Sequence, residues 1–156
     1  MNKEELKKIR DLIEGIDFAM LVSKSSSGEL RSRPMTTQQM DESGSLWFFS
    51  DKDSAKIFEI EEFSQVNLAY SDHGKQIYVS VSGSAEVSYD QTKIDELFKP
   101  SHKTWFPMGK DDPALCLIKV HATFIEYWDS RISKMAMLWG ASRETKHERI
   151  SIIDSN

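Results

Sequence analysis

Residues 30–60 read LRSRPMTTQQMDESGSLWFFSDKDSAKIFEI. Two arginines, Arg31 and Arg33, stand two residues apart on an apparent strand, so their side chains share one face. Hydroxyl and ammonium groups follow around the start of an apparent helix: Ser50, Ser54 and Lys56. The first turn of a helix offers unpaired N–H groups and the positive end of its dipole to an anion. The stretch therefore predicts a phosphate-binding cradle. The alternative is a strand with solvated arginines followed by an ordinary capped helix.

Pro34 lies inside the same strand. Proline cannot donate a ladder hydrogen bond, so the strand is expected at a sheet edge, at a bulge or against a ligand. A bulge would turn one of the two arginines away from the other. The pattern therefore leaves open whether Arg31 or Arg33 holds the phosphate.

The composition favours one compact domain in the cytoplasm. The chain has 156 residues, with 20 basic and 25 acidic side chains and a net charge of −5. Because no large cationic field is present, we expect neither nucleic acid nor an anionic membrane as a partner. The first fifteen residues are too charged for a signal peptide, and no apolar run is long enough to span a bilayer.

The histidines and the cysteine do not form a reactive or metal-binding pattern. Four histidines are scattered without ligand spacing, so no metal site is predicted. The single cysteine, Cys116, lies in an apolar run and is expected to be buried and inert. The common nucleotide-phosphate loops and the G-x-S-x-G serine elbow are missing, and no residue stands out as a general acid or base.

The periodicity predicts a mainly β fold with short helices. Alternating or continuous apolar runs predict strands at 18–22, from Leu30, and at 46–49, 65–71, 76–89, 115–120 and 123–128. Helices are predicted after Asn2, from about Ser54 and after Asp90. In the second helix we expect Phe58 to be buried and Glu59 to lie at the flank. Gly83 is a predicted bend, and the domain is expected to span 1–156, with a core over 9–139 and a polar, partly loose tail over 143–156.

Two adjacent aromatic residues, Trp105 and Phe106, lie in a segment with two prolines and a glycine. Large aromatics are costly to leave facing water, so they are expected to cover something. Three coverings are open: the core of the same subunit, a flat aromatic ligand, or a symmetry-related subunit.

Five short motifs in order carry a family resemblance: 31–35 (RSRPM), 47–50 (WFFS) with Ser54 and Lys56, 78–83 (YVSVSG), 105–107 (WFP) with Gly109 and 112–113 (DP), and 126–129 (EYWD). Together they resemble the general stress protein branch of the pyridoxamine 5'-phosphate oxidase-like, FMN-binding split-barrel proteins. The resemblance implies a split β-barrel of six to seven antiparallel strands. It also implies a homodimer with FMN bound in two clefts at the subunit interface.

The resemblance also implies roles for individual residues. The residues implied to hold the FMN phosphate are Arg31 or Arg33, Ser50, Ser54 and Lys56. Those implied to line the isoalloxazine ring are Pro34, Met35, Thr36 and Phe49. Tyr78 corresponds to a polar residue that contacts the flavin, and Trp105 would reach the cofactor from the partner subunit.

The chain departs from the vitamin-forming oxidases after Tyr127, where the arginine and histidine residues that grip the substrate phosphate are missing. Pyridoxamine phosphate is therefore not the expected substrate. The resemblance favours an FMN-dependent oxidoreductase or flavin reductase acting on a small molecule. One alternative is a non-catalytic flavin-binding stress protein. Another is a haem-binding split barrel with His73, His102 or His121 as axial ligand. Deazaflavin F420 is an alternative cofactor for the same cleft.

Overall fold

A computed structural model describes residues 3–129 and 146–151. The helices are α1 (Lys3–Ile13), α2 (Ala55–Glu62) and α3 (Gln91–Leu97), with short 3-10 turns at Pro100–Thr104 and Gly109–Asp111. The strands are β1 (Ala19–Lys24), β2 (Leu30–Met35), β3 (Thr37–Met40), β4 (Ser45–Asp51), β5 (Gln65–Asp72), β6 (Ile77–Ser88), β7 (Leu115–Asp129) and β8 (Lys146–Ser151). The predicted mainly β fold is confirmed.

One antiparallel sheet curls into a half-barrel. Seven strands follow the order β2-β1-β5-β6-β7-β4-β3, and β8 pairs with β7 off this path. β2 and β3 lie at opposite ends of the order, yet Thr36 alone separates them in the chain. The sheet must therefore curl until its two edges approach each other at Thr36. This is the split of the barrel.

Pro34 lies on an edge strand, which confirms one of its three predicted settings. Within the described residues β2 pairs only with β1, and its register runs without a shift from Leu30 to Met35. Because no bulge interrupts the strand, Arg31 and Arg33 stay on one face. Their cross-strand neighbours are Ser23 and Leu21.

The core lies inside the curled sheet and is closed by the first two helices. The apolar face of α1 is buried in this core through Leu6, Ile9, Leu12 and Ile13. α2 adds Ile57 and Ile60 to the same core. A second apolar cluster covers the opposite face of β4, where α3 and Phe106 pack against Trp47 and Leu117. No helix within 3–129 is long and apolar enough to cross a membrane.

Two sequence predictions at the end of the chain are corrected. The strands predicted at 115–120 and 123–128 form one continuous strand of 15 residues, β7. The predicted gap at 121–122 lies inside this strand and adjoins a bulge at Thr123, where the register with β6 shifts between Ser82 and Gly83. Residues 146–151 of the predicted loose tail form β8, which pairs with 124–129. The remainder of that tail, and the predicted core residues from 130 onward, lie outside the described residues.

Gly83 is required where β6 and β7 cross this bulge. A Cβ at Gly83 would overlap the carbonyl oxygen of His121, which belongs to the backbone and cannot rotate away. We expect Gly83→Ala to lower the free energy of unfolding by about 2 kcal/mol, because overpacking at a fixed backbone forces a local shift. Urea denaturation monitored by tryptophan fluorescence measures this difference.

The matched control is Gly74→Ala. A Cβ at Gly74 would meet only the Asp72 carboxylate oxygen, at an ordinary contact distance of 3.5 Å. We expect a change within about 0.5 kcal/mol for this variant. Equal effects at Gly83 and Gly74 would contradict the proposed role of the bulge.

Candidate functional site

Both arginines of β2 converge on one carboxylate of α2. Arg33 Nη2 lies 3.0 Å from Glu59 Oε2, and Arg31 Nη1 lies 3.3 Å from Glu59 Oε1. Ser23 Oγ on β1 donates a hydrogen bond to Glu59 Oε2 and accepts one from Arg33 Nη1. Residues from three elements therefore form one charged network.

This network reverses two predictions about the faces of α2. Glu59, predicted at the flank, is buried, whereas Phe58, predicted in the core, is 60% exposed. The reason is that Glu59 receives charged and hydroxyl donors, which make its burial tolerable. Burial alone would raise the pKa of Glu59, but the hydrogen bonds from Ser23 and Arg33 and the charges of both arginines outweigh it and lower that pKa.

The start of α2 lies beside this network and leaves donors open. Ser54 is the N-cap residue, but its side chain makes no capping hydrogen bond. Instead Ser54 Oγ donates to the carbonyl of Asp51 at 2.8 Å and lies 3.2 Å from Ser50 Oγ. In the first turn the N–H of Ile57 donates to the carbonyl of Ser54, whereas the N–H groups of Ala55 and Lys56 have no partner among the described residues and remain available to an anion.

Lys56 extends from the same turn and is half-buried. Its ammonium group makes no hydrogen bond or ion pair with any residue in the described part of the chain. Burial and the neighbouring charge of Arg33 lower the pKa of Lys56. Burial is the larger of these two causes, and Asp51 acts in the opposite direction. An anion bound at this point would favour the charged form of Lys56.

We call Arg33, Ser50, Ser54 and Lys56 the cradle, with Arg31 at its outer side. Three acids accompany the three cations: the buried Glu59 pairs with both arginines, the exposed Glu29 lies 3.7 Å from Arg31, and the exposed Asp51 lies near Lys56. Lys56 has no ion pair within the described residues, so its ammonium group, the two hydroxyls and the uncapped helix start fit a phosphate group.

Cys116 lies behind the cradle, on the strand next to Ser50. Its thiol is buried and donates to the carbonyl of Ser50 at 3.4 Å. Burial raises the pKa of Cys116 to about 11, so the group is a neutral thiol at physiological pH. The predicted inert, buried cysteine is confirmed.

The residues implied to line the isoalloxazine ring separate into two groups. Pro34 and Thr36 are exposed at the split of the barrel, whereas the side chain of Met35 belongs to the core, so only its backbone can face a ligand there. Phe49 lies on the opposite face of β4 from Ser50. It packs against the rings of Phe98, His102 and Phe106, and the His102 ring centroid is 4.8 Å away.

Tyr78 and Trp105 lie away from the cradle of their own subunit. The register places Tyr78 on the opposite sheet face from Arg33, where its hydroxyl lies 3.3 Å from His73 Nδ1. Trp105 is 72% exposed, whereas its neighbour Phe106 is buried in the second apolar cluster. Of the three predicted coverings, Phe106 is therefore covered by the core of its own subunit, whereas Trp105 is not covered by any described part of this chain.

Two residues of the site, Glu59 and Ser23, were not predicted from the sequence. Ser23 continues the inward alternation of Ala19 and Leu21, so a polar side chain at that position was a signal. Lys56 and Glu59 are three residues apart on α2 and share a side of the helix. Neither pattern predicts that Glu59 contacts Ser23 and the two arginines, because the packing of α2 against β1 and β2 is a tertiary contact.

A cavity of about 540 Å³ opens next to the split of the barrel. Its walls are the end of α1, from Arg10 to Ile16, and the edge strand β3 with the following turn, from Thr37 to Glu42. Its lining begins one residue after Thr36 and includes no residue of α2. The cavity and the cradle are thus separate features joined by the segment 34–36.

Comparisons with known proteins agree with this fold. A family model described as pyridoxamine 5'-phosphate oxidase like matches residues 4–148. The protein bli-3 of Neurospora crassa is 26% identical over 133 residues, covering 77% of this chain and 64% of that protein, so the match spans less than two thirds of the relative.

Solved structures show the same architecture. The general stress FMN/FAD binding protein of Xanthomonas citri is 31% identical, with a TM-score of 0.70 over 82% of this chain and 90% of that chain. The general stress protein 26 of Bacillus anthracis is 21% identical, with a TM-score of 0.75 over 96% and 99% of the two chains, a likeness that shows the fold alone. With the family match extending over nearly its whole length, this chain belongs to the pyridoxamine 5'-phosphate oxidase-like family.

Proposed function

We propose that this chain binds FMN through the cradle and works as an FMN-dependent oxidoreductase or flavin reductase on a small molecule. The observation that carries the proposal is geometric: Lys56 is half-buried beside Arg33 without an ion pair in the described part of the chain, at a helix start whose Ser54 side chain makes no capping hydrogen bond. The phosphate of FMN supplies an anionic partner for Lys56. Riboflavin has no phosphate and cannot supply one. The Xanthomonas citri relative, described as an FMN/FAD binding protein, supports a flavin as the ligand.

Arg33 is the better phosphate ligand of the two arginines. Its side chain is 22% exposed, against 54% for Arg31. Its charge acts on Lys56, which places the two cations next to each other. Arg33 is also held by Ser23 and Glu59, so less conformational entropy is lost when it binds an anion.

The chain's own residues bind and orient the cofactor. Arg33 and Lys56 provide charge-assisted hydrogen bonds to the phosphate, and the hydroxyls of Ser50 and Ser54 provide neutral ones. The exposed side chains of Pro34 and Thr36 and the backbone of Met35 give the flat ring a wall next to the cavity, in which a small substrate would fit. When bound, the flavin supplies the redox chemistry.

We further propose a homodimer, in which the partner completes the cleft. Trp105 supports this because its ring is uncovered although it lies in a loop fixed by Phe106 and two 3-10 turns. Phe18 and Met20 add exposed apolar surface around β1. Exposed aromatic residues on a rigid frame are typical of interfaces.

Trp105→Ala tests the dimer. We expect weaker dimerisation and weaker FMN binding, each by about tenfold, because a large aromatic anchor is lost from both contacts. Light scattering after size-exclusion chromatography measures the first quantity, and a fluorescence titration measures the second. A Trp105→Ala dimer with wild-type FMN affinity would contradict the assignment.

The absorbance spectrum of the purified protein tests the function itself. Flavin bands, with FMN identified after heat release, would support the proposal, and bleaching by NAD(P)H with steady turnover would identify an enzyme. Flavin binding without turnover on any tested acceptor would favour the non-catalytic stress protein. A protein that stays colourless after incubation with FMN would contradict the proposal.

The structure gives no support to haem ligation by the three histidines considered. His73 contacts Tyr78, His102 Nδ1 accepts from the N–H of Lys99, and His121 Nε2 lies 3.1 Å from Glu86. Each ring already has a polar neighbour at the protein surface. A Soret band in the same spectrum would overturn this reading.

A further inference from the structure

Glu59 presents a chemical contradiction if the cradle binds phosphate. It is a buried carboxylate in direct contact with Arg33, the residue assigned to the phosphate. Charge alone predicts that a carboxylate so close to a dianion weakens its binding. A buried acid at this position therefore needs another explanation.

The contacts of Arg33 supply that explanation. Nη1 of Arg33 is held by Ser23 Oγ and lies 3.4 Å from the carbonyl of Leu21. Nη2 is held by Glu59, whose other oxygen is 3.3 Å from Arg31. Both terminal nitrogens are thus fixed from the side of β1 and α2. A free arginine side chain samples many rotamers, whereas this guanidinium has one orientation before any ligand arrives.

We propose that Glu59 is a positioning residue, which holds Arg33 both directly and through Ser23 so that the cradle selects phosphorylated over unphosphorylated flavin. The inference rests on the proposed FMN binding and deepens it. Riboflavin shares the ring of FMN but has no phosphate, so it does not use Arg33. The role of Glu59 is therefore measured by the ratio of the dissociation constants for riboflavin and FMN.

Glu59→Gln is the decisive variant because it keeps the shape of the side chain and removes its charge. If Glu59 positions Arg33, the dissociation constant for FMN rises about tenfold and that for riboflavin changes less than about twofold. If Glu59 is only a repelling charge, FMN binding tightens instead. Fluorescence titration of the flavin-free protein with each ligand separates the two signs.

A double-mutant cycle shows whether the effect passes through Arg33. In an Arg33→Ala background, Glu59→Gln should leave the FMN dissociation constant unchanged within about twofold. In an Arg31→Ala background, the tenfold effect should persist. A loss of fold alone would instead act equally on both ligands and in both backgrounds. An equal effect in the Arg33→Ala and Arg31→Ala backgrounds would overturn the inference.

Two further variants provide a charge control on the same helix and a second test of the positioning of Arg33. Glu62→Gln changes an exposed acid on the same helix, which contacts Ser26 at the surface, and should leave both dissociation constants unchanged. Ser23→Ala removes the hydroxyl between Glu59 and Arg33 without altering charge, so it should lower the riboflavin-to-FMN ratio even if Glu59→Gln does not fold. If wild-type protein fails to bind FMN, the proposed function fails. If wild type binds FMN and both Glu59→Gln and Ser23→Ala keep the wild-type ratio, only the positioning role fails.

Discussion

Replacing Arg33 and Lys56 together by alanine is expected to raise the dissociation constant for FMN by about a hundredfold or more. Hydrogen bonds to charged groups contribute about 1.5–3 kcal/mol each, and about 1.4 kcal/mol corresponds to a factor of ten in affinity. Riboflavin binding should change little, because the ring contacts are left intact. Quenching of flavin fluorescence in two parallel titrations gives the dissociation constants for FMN and for riboflavin.

The control is a second pair with the same change in net charge, Lys3→Ala with Lys75→Ala. Both lysines are exposed and lie outside the cradle. We expect this pair to change FMN affinity less than about threefold at physiological salt, because exposed charges at a distance are screened. Equal losses in the two double variants would mean that general electrostatic attraction, and not the cradle, holds the phosphate.

The single variants assign the role of each arginine. Arg33→Ala should weaken FMN binding more than Arg31→Ala does, since Arg33 is less exposed and adjoins Lys56. The reverse order would transfer the phosphate contact to Arg31. Either order decides between the two residues that alternation along the strand places on one face.

Replacing Glu59 by alanine is expected to lower the free energy of unfolding by about 3 kcal/mol at neutral pH. The reason is that removal of one partner from a buried ion pair leaves the other charge without compensation. Arg33 would keep only Ser23 and the carbonyl of Leu21 as neighbours in this network. Urea denaturation of the flavin-free protein measures the loss, with Glu62→Ala on the exposed side of the same helix as the control.

The contribution of Glu59 should depend on pH in a defined direction. Its pKa in the folded chain lies below the ordinary value of 4.5. A lowered carboxyl pKa stabilises the fold above the unfolded-state pKa, and the stabilisation is lost as the pH falls through the folded-state value. The difference in stability between wild type and Glu59→Gln should therefore shrink from neutral pH towards about pH 3. A difference that stays constant over this range would show that the carboxylate charge does not matter.

The sequence predicts the cradle more completely than the remainder of the site. The cradle is recognised by local patterns: two arginines at alternate positions, a proline inside a strand, and serines with a lysine at a helix start. Local patterns of this kind do not depend on contacts between distant parts of the chain. The burial of Glu59 could not be predicted in this way, because it depends on contacts with β1 and β2, which lie far away in sequence. The same reason explains the exchanged positions of Phe58 and Glu59.

The bulge in β7 and the different burial of Trp105 and Phe106 could not be predicted from local sequence patterns. The sequence predicts two strands separated by residues 121–122, whereas the chain forms one strand with a bulge at Thr123 beside Gly83. Trp105 and Phe106 are adjacent and similar, yet one is exposed and the other buried. Their difference depends on the packing of the loop against α3, which no local period encodes.

Thr36 has a consequence for how the protein folds. The hairpin of β1 with β2 and the hairpin of β3 with β4 are local pairings on either side of this residue, and local pairings form quickly. They reach opposite edges of the sheet only when β4 pairs with β7, which joins 45–51 to 115–121. Long-range pairing of this kind is slow. We therefore expect the cradle, which draws on β2, β4 and α2, to be assembled in the last stage of folding, so that the cofactor captures a finished chain and does not guide the early steps.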